Sequence, residues 1–173
     1  MDIHFHGATR TVTGSLHEVR SAGKTYILDC GLFQGPRAEA ERINCCFDFD
    51  PTKVDALILS HAHTDHCGNI PNLVKQGFNA PIYCTPATAA VTAVMLQDSA
   101  KIQEENADYL NRHGIKRASG SGPVMPLYTM QDALRTISLF KPLPFRKPLD
   151  LSGTVVEFET SASRCFCFNK PRR

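Results

Sequence analysis

Apolar and polar positions alternate in short stretches at the start of this chain and follow helical spacing further on. Residues 3–5 begin a strand, 16–19 alternate as a second, and 25–29 form a third. A small-residue loop at 7–15 separates the first two, and the turn Ser21-Ala22-Gly23-Lys24 separates the next pair. An irregular polar connection over 31–51 holds a short helical piece at 37–42. Residues 54–59 are nearly continuously apolar, the pattern of a central strand covered on both faces. A brief helix follows at 69–75 with Gly77 as its left-handed cap, then another strand at 80–84.

Thr85-Pro86 starts the longest helix, which the pattern carries to about His113, where Gly114 stops it. Val91, Val94, Met95, Ile102 and Leu110 are its expected apolar face, with a break expected near Asp98-Ser99. Gln103, Glu104, Glu105, Asn106 and Asp108 read as a solvated face. Residues 118–123 are a flexible Gly/Ser loop. Thr129 with Asp132 gives a capping-box start to a helix ending near Phe140. Pro142, Pro144 and Pro148 enforce an extended connection, and 151–158 reads as a turn and a strand. The tail, 164–173, lacks strand alternation.

With 173 residues, 42% hydrophobic and 21% charged, the composition fits one globular domain. A formal charge of +2 is too small to argue for nucleic acid, so a basic surface for one must be local or come from parts outside this sequence. No run approaches the ~18 apolar residues of a membrane span. The first residues lack the basic and apolar regions of a signal peptide, and a cytoplasmic protein is expected. The seven cysteines follow no disulfide framework. Cys30, Cys67 and Cys84 read as small reduced core residues, Cys45-Cys46 are poorly placed to clasp one metal, and Cys165-Phe166-Cys167 has the spacing of half a metal site but no partner pair to complete one.

Candidate chemistry concentrates in Leu57-Ile58-Leu59-Ser60-His61-Ala62-His63-Thr64-Asp65-His66-Cys67-Gly68. In an extended segment side chains alternate, so His61 and His63 project to one side. Asp65 and His66 follow where Gly68 and Asn69 turn the chain into a helix, placed to serve a second ion beside the first. Imidazole and carboxylate suit zinc or a similar divalent metal. His4 and His6 share the spacing but lie in a strand without a nearby acid in sequence, and a structural role is expected of them, with His6 as a candidate for the floor of the site.

This segment resembles the HxHxDH signature of the metallo-β-lactamase superfamily. The flanks FHGATRTVTGS, ILDCGLFQG, DALILSHAHTDHCGNIPNLVKQGF, PIYCTPAT and MLQDSAKIQEENADYL resemble its β-CASP branch of RNA-processing nucleases, over about residues 3–158. The resemblance implies an α/β fold, the αββα metallo-β-lactamase sandwich. This chain would supply its N-terminal half: a partial domain at 1–158, cut before the inserted β-CASP domain, and an unmatched basic tail at 159–173. It also implies two zinc ions in the complete family and hydrolysis of an RNA phosphodiester. His61, His63, Asp65 and His66 would be the metal ligands, with Asp65 also orienting the nucleophile. Asp29, in the matching LDCG, would accept a hydrogen bond from a ligand imidazole and so fix its tautomer.

The resemblance stops where the family places a third histidine in an Asp-Ala-Gly-His segment. Here Glu159 to Arg164 stand instead, and no histidine follows His113. The expectation is a truncated or frame-shifted nuclease that is inactive alone. Rival expectations are a small-molecule hydrolase of the same fold, such as a thioesterase or lactonase, and a non-catalytic pseudo-enzyme fragment. ATRTVTGS and DSAKIQE argue against the first rival; the missing histidine favours the second. RNA is the expected partner, a membrane is not, and a homodimer stays open.

Overall fold

The computed structural model describes residues 1–114 and 122–159, together with the backbone of 165–169. Asp2–Phe5 (β1), Leu16–Ser21 (β2) and Lys24–Cys30 (β3) form an antiparallel meander. Ala22 and Gly23 join β2 to β3 with φ of 51° and 77°, the left-handed pair that matches the twist of a tight hairpin. After β3 the chain forms a helix at Arg37–Asn44 (α1), a 3-10 turn at Pro51–Lys53, and Ala56–Ile58 (β4), which pairs parallel with β3. Thr64–Cys67 (α2) and Ile70–Lys75 (α3) lead to Ile82–Cys84 (β5), parallel to β4. Pro86–Arg112 (α4) and Met130–Ser138 (α5) then return the chain to Phe140–Pro142 (β6), parallel to β5. The six strands lie in sequence order.

Side-chain alternation sorts the sheet's two faces. Ile27, Leu57, Leu59 and Ile82 join Ile70, Leu73, Phe78, Leu96 and Tyr128 in the core beneath the helices. Their neighbours Tyr26, Leu28, Ala56 and Ile58 pack on the opposite face with Val19, Val156 and Phe158. The latter two come from Val155–Glu159 (β8), the middle strand of a second sheet with Leu149–Asp150 (β7) and Cys165–Asn169 (β9). Two-sided cover explains the continuous apolar run: Leu57, Ile58 and Leu59 are each 0% exposed. It also fixes where polar side chains can emerge, at the carboxyl end of β4, just beyond Leu59.

Three expectations are corrected. Helix α4 is unbroken over 27 residues, and its buried stripe is Thr88, Ala89, Thr92, Leu96, Ala100 and Ala107. Val91, Val94 and Ile102 point outward, 52%, 68% and 49% exposed. Small residues make up most of that stripe, with Leu96 as its large side chain, 1% exposed. Second, its polar residues are braces as well as a solvated face. Gln103 Oε1 accepts from Leu127 N at 3.2 Å, and Glu104 Oε1 accepts from Met130 N at 2.9 Å, which satisfies an orphan donor in the first turn of α5. Third, the tail does form a strand, with β9 antiparallel to β8. The capping box of α5 is present: Thr129 Oγ1 accepts from Asp132 N, and Asp132 accepts from Thr129 N. Most of the expected loop at 118–123 lies outside the described residues.

Candidate metal centre

The motif loop leaves β4 in extended form and becomes α2 at His63, whose φ and ψ are −71° and 145°. Backbone hydrogen bonds hold it from two sides. Asp65 O accepts from Ser15 N at 2.9 Å, and Thr64 O accepts from Leu32 N at 3.0 Å. Gly31 sits directly beneath, where a Cβ would stand 1.7 Å from Asp65 O. Only glycine permits that approach, so the Gly after Asp29-Cys30 is part of how the loop is seated. The small-residue loop before β2 is tied in the same way, since a Cβ on Gly7 would meet Gly14 O at 2.0 Å.

Asp29 is the anchor behind the loop. Its side chain is buried, its φ is 56°, and its carboxylate accepts three hydrogen bonds. Ser60 N donates to Oδ1 at 2.8 Å, Ser60 Oγ donates to Oδ2 at 2.8 Å, and His66 Nδ1 lies 2.7 Å from Oδ2. A carboxylate only accepts, so His66 carries its proton on Nδ1 and leaves the Nε2 lone pair outward. The Ser60 hydroxyl spends its proton on Asp29 and therefore accepts from His61 Nδ1, 2.8 Å away. That sets the Nε2 lone pair of His61 outward as well. Ser60 was not foreseen from sequence, although a hydroxyl directly before the first histidine, beside the Asp29 strand, was a readable signal.

The four motif residues come together. His61 Nε2 lies 3.1 Å from His63 Nδ1, and the ring centres of His61 and His66 are 4.0 Å apart. Asp65 Oδ2 lies 3.5 Å from His66 Nε2. His61 and His63 therefore do share one side, as alternation requires. The donors fall into two edges, one of two imidazoles and one of a carboxylate and an imidazole.

Other candidates lie apart or behind. His6 Nε2 lies 3.1 Å from Glu18 Oε2 and its Nδ1 2.7 Å from Asp48 Oδ1, so two acids engage a ring that sequence left without any. His4 is exposed on β1. His17, unnoticed in the sequence, has a buried Nδ1 with no partner, and burial lowers its pKa against the opposing pull of Asp29. Cys30, Cys67 and Cys84 are buried thiols. Burial pushes Cys67 and Cys84 up to about 12 and holds Cys30 well above its ordinary range.

The pattern defining the Metallo-beta-lactamase superfamily matches residues 13–144. The chain belongs to the metallo-β-lactamase superfamily. Ribonuclease TTHA0252 of Thermus thermophilus is 44% identical over 99 residues, covering 57% of this chain and 22% of that protein. Endoribonuclease ysh1 of Aspergillus fumigatus is 31% identical over 141 residues, 80% of this chain and 15% of its own length. The chain thus spans about a fifth or less of these relatives, 22% and 15%. In fold it is similar to a B3 metallo-β-lactamase with an active-site glutamic acid, with a TM-score of 0.50 and 15% identity, covering 92% of this chain and 52% of that one.

Metallo-β-lactamase membership implies metal ions, and the donor set can be tested against them. Two Zn–N bonds of about 2.0–2.1 Å at a tetrahedral angle place their nitrogens roughly 3.3 Å apart. The His61–His63 separation of 3.1 Å and the Asp65–His66 separation of 3.5 Å bracket that value. Each edge therefore fits two donors on one ion. Among the described residues, no group of three or more His, Cys, Asp or Glu side chains is arranged to hold an ion.

Proposed function

We propose that this chain carries half of a two-zinc site for RNA phosphodiester hydrolysis, of the β-CASP type. His61 and His63 would hold one ion, Asp65 and His66 the other, and Asp29 would position His66. The observation that carries the reading is the Asp29–Ser60–His61–His66 network. It presets the tautomers of two imidazoles so that both present Nε2 lone pairs. The relatives named ribonuclease and endoribonuclease support RNA over a thioester or a lactone.

When bound, zinc would supply Lewis-acid chemistry, acidifying water and neutralising charge on phosphoryl oxygens. The chain's own contributions are orientation and proton placement. Asp29 keeps the His66 proton on Nδ1, Ser60 keeps that of His61 on Nδ1, and Asp65, 27% exposed in its side chain and 3.5 Å from His66 Nε2, is the acceptor that would orient a nucleophile. With two donors per ion, the isolated chain would hold metal weakly and show no measurable RNA cleavage.

The test follows zinc-dependent binding of a labelled single-stranded RNA by anisotropy, alongside hydrolysis of RNA, a thioester and a lactone. The reading expects zinc-dependent RNA binding that disappears in a His61→Ala, His63→Ala double variant. Zinc-dependent turnover of the thioester or the lactone, lost in the same variant, would favour the small-molecule rival. RNA cleavage lost in the variant would show that further residues complete the site.

A further inference from the structure

Cys45 and Cys46 follow the last residue of helix α1 at the surface. Both are exposed, and their sulfurs stand 2.9 Å apart. Cys45 Sγ donates to Arg42 O at 3.3 Å, which turns it back over the helix end toward its neighbour. Cys45 also lines a groove of about 930 Å³ whose walls carry Arg37, Arg42 and Lys75. Arg37 there is paired with Glu41 at 3.0 Å, which leaves the groove's balance positive. We propose that Cys45 and Cys46 form a reversible thiol–disulfide site that exchanges with a small acidic disulfide of the oxidised-glutathione class.

The chemistry balances without a further reactant. One thiolate attacks the small disulfide, forms a mixed disulfide and releases one thiol. The neighbouring thiolate then attacks the protein-side sulfur, closes the Cys45–Cys46 bond and releases the second thiol. Two protein thiols are oxidised, one small disulfide is reduced to two thiols, and the two protons leave with them. Adjacent Cα atoms lie about 3.8 Å apart across a trans peptide, short of the roughly 4.4–6.8 Å that disulfides favour. The closed ring is therefore strained and easily reduced, which makes the site reversible rather than structural. Closure also reaches the protein's interior. Cys45 O accepts from Gln76 Nε2 at 2.9 Å, and the preceding Asn44 O accepts from Asn72 and Asn69 at 2.8 and 3.2 Å. Asn69 N in turn donates to Cys30 O, beside Asp29.

Trypsin isolates the site, because Ile43 to Lys53 is one peptide holding only these two cysteines. The folded chain is incubated with oxidised glutathione, blocked with iodoacetamide, digested and weighed. The expected product is this peptide lighter by two hydrogens and unalkylated, restored to two alkylated thiols by prior dithiothreitol. The rate should fall as salt screens the groove cations, and Cys46→Ser should stop at the mixed disulfide on Cys45. Two alkylated thiols, a persistent mixed disulfide in the unmutated chain, a cross-link to the Cys165–Cys167 peptide, or a rate indifferent to salt would each overturn the proposal.

Discussion

Replacing Asp29 separates its two roles, seating the loop and setting the His66 tautomer. Asp29→Ala removes the acceptor of Ser60 N, Ser60 Oγ and His66 Nδ1 from a site only 4% exposed. Leaving two of those donors unsatisfied costs about 1–3 kcal/mol each. Alanine is also poorly suited to the φ of 56° at this position. The unsatisfied donors alone, roughly 2–6 kcal/mol, lower the melting temperature by on the order of 4–24 °C at this chain length. Asp29→Asn is the sharper variant. Asparagine tolerates the left-handed backbone and still accepts from Ser60 N through Oδ1, so the loss of stability should be about 1 kcal/mol. Its Nδ2, however, donates where the carboxylate accepted. His66 must then shift its proton to Nε2, which removes the outward lone pair. Zinc affinity measured by calorimetry at neutral pH should fall about 10–100-fold in Asp29→Asn. An Asp29→Asn chain that melts like the parent and binds zinc equally well would refute the tautomer argument and leave Asp29 with turn chemistry alone.

Other outcomes follow from the packing. Gly31→Ala should displace the motif loop, because its Cβ would stand 1.7 Å from Asp65 O; proteolysis of the loop should rise sharply, and a parent-like digestion pattern would contradict the seating. Leu96→Ala, at 1% exposure, should cost about 2–5 kcal/mol in urea unfolding. Val94→Ala, at 68%, should stay within about 0.5 kcal/mol, and the reverse order would restore the large-residue face of α4. In native protein at pH 8, iodoacetamide should label Cys45 and Cys46 while sparing Cys67 and Cys84, whose thiols burial holds at about 12. Equal labelling of all four would contradict the burial.

What the sequence made legible and what it hid have physical causes. The alternation of Tyr26, Ile27 and Leu28, and the unbroken Leu57, Ile58 and Leu59, report directly on a sheet with one or both faces covered. His61 and His63 share a side for the same reason: two residues along an extended chain return to one face. Asp29 was within reach only through the LDCG resemblance, since a strand-end aspartate is common. The α4 face was misread because side-chain size was taken for burial, whereas Ala89, Ala100 and Thr92 are small and buried. Ser60, Gly31 and Asn44 act through contacts between distant segments, and nothing in their local sequence reports which strand or loop arrives beside them.

The central claim is that zinc is held by the four motif residues, and X-ray absorption at the zinc edge tests it most directly. With one equivalent of zinc on the reduced 173-residue chain, the account predicts nitrogen and oxygen neighbours at about 2.0–2.1 Å with imidazole outer-shell scattering. That signature should vanish in the His61→Ala, His63→Ala, His66→Ala variant. Sulfur neighbours at about 2.3 Å, or a spectrum unchanged by those substitutions, would contradict it.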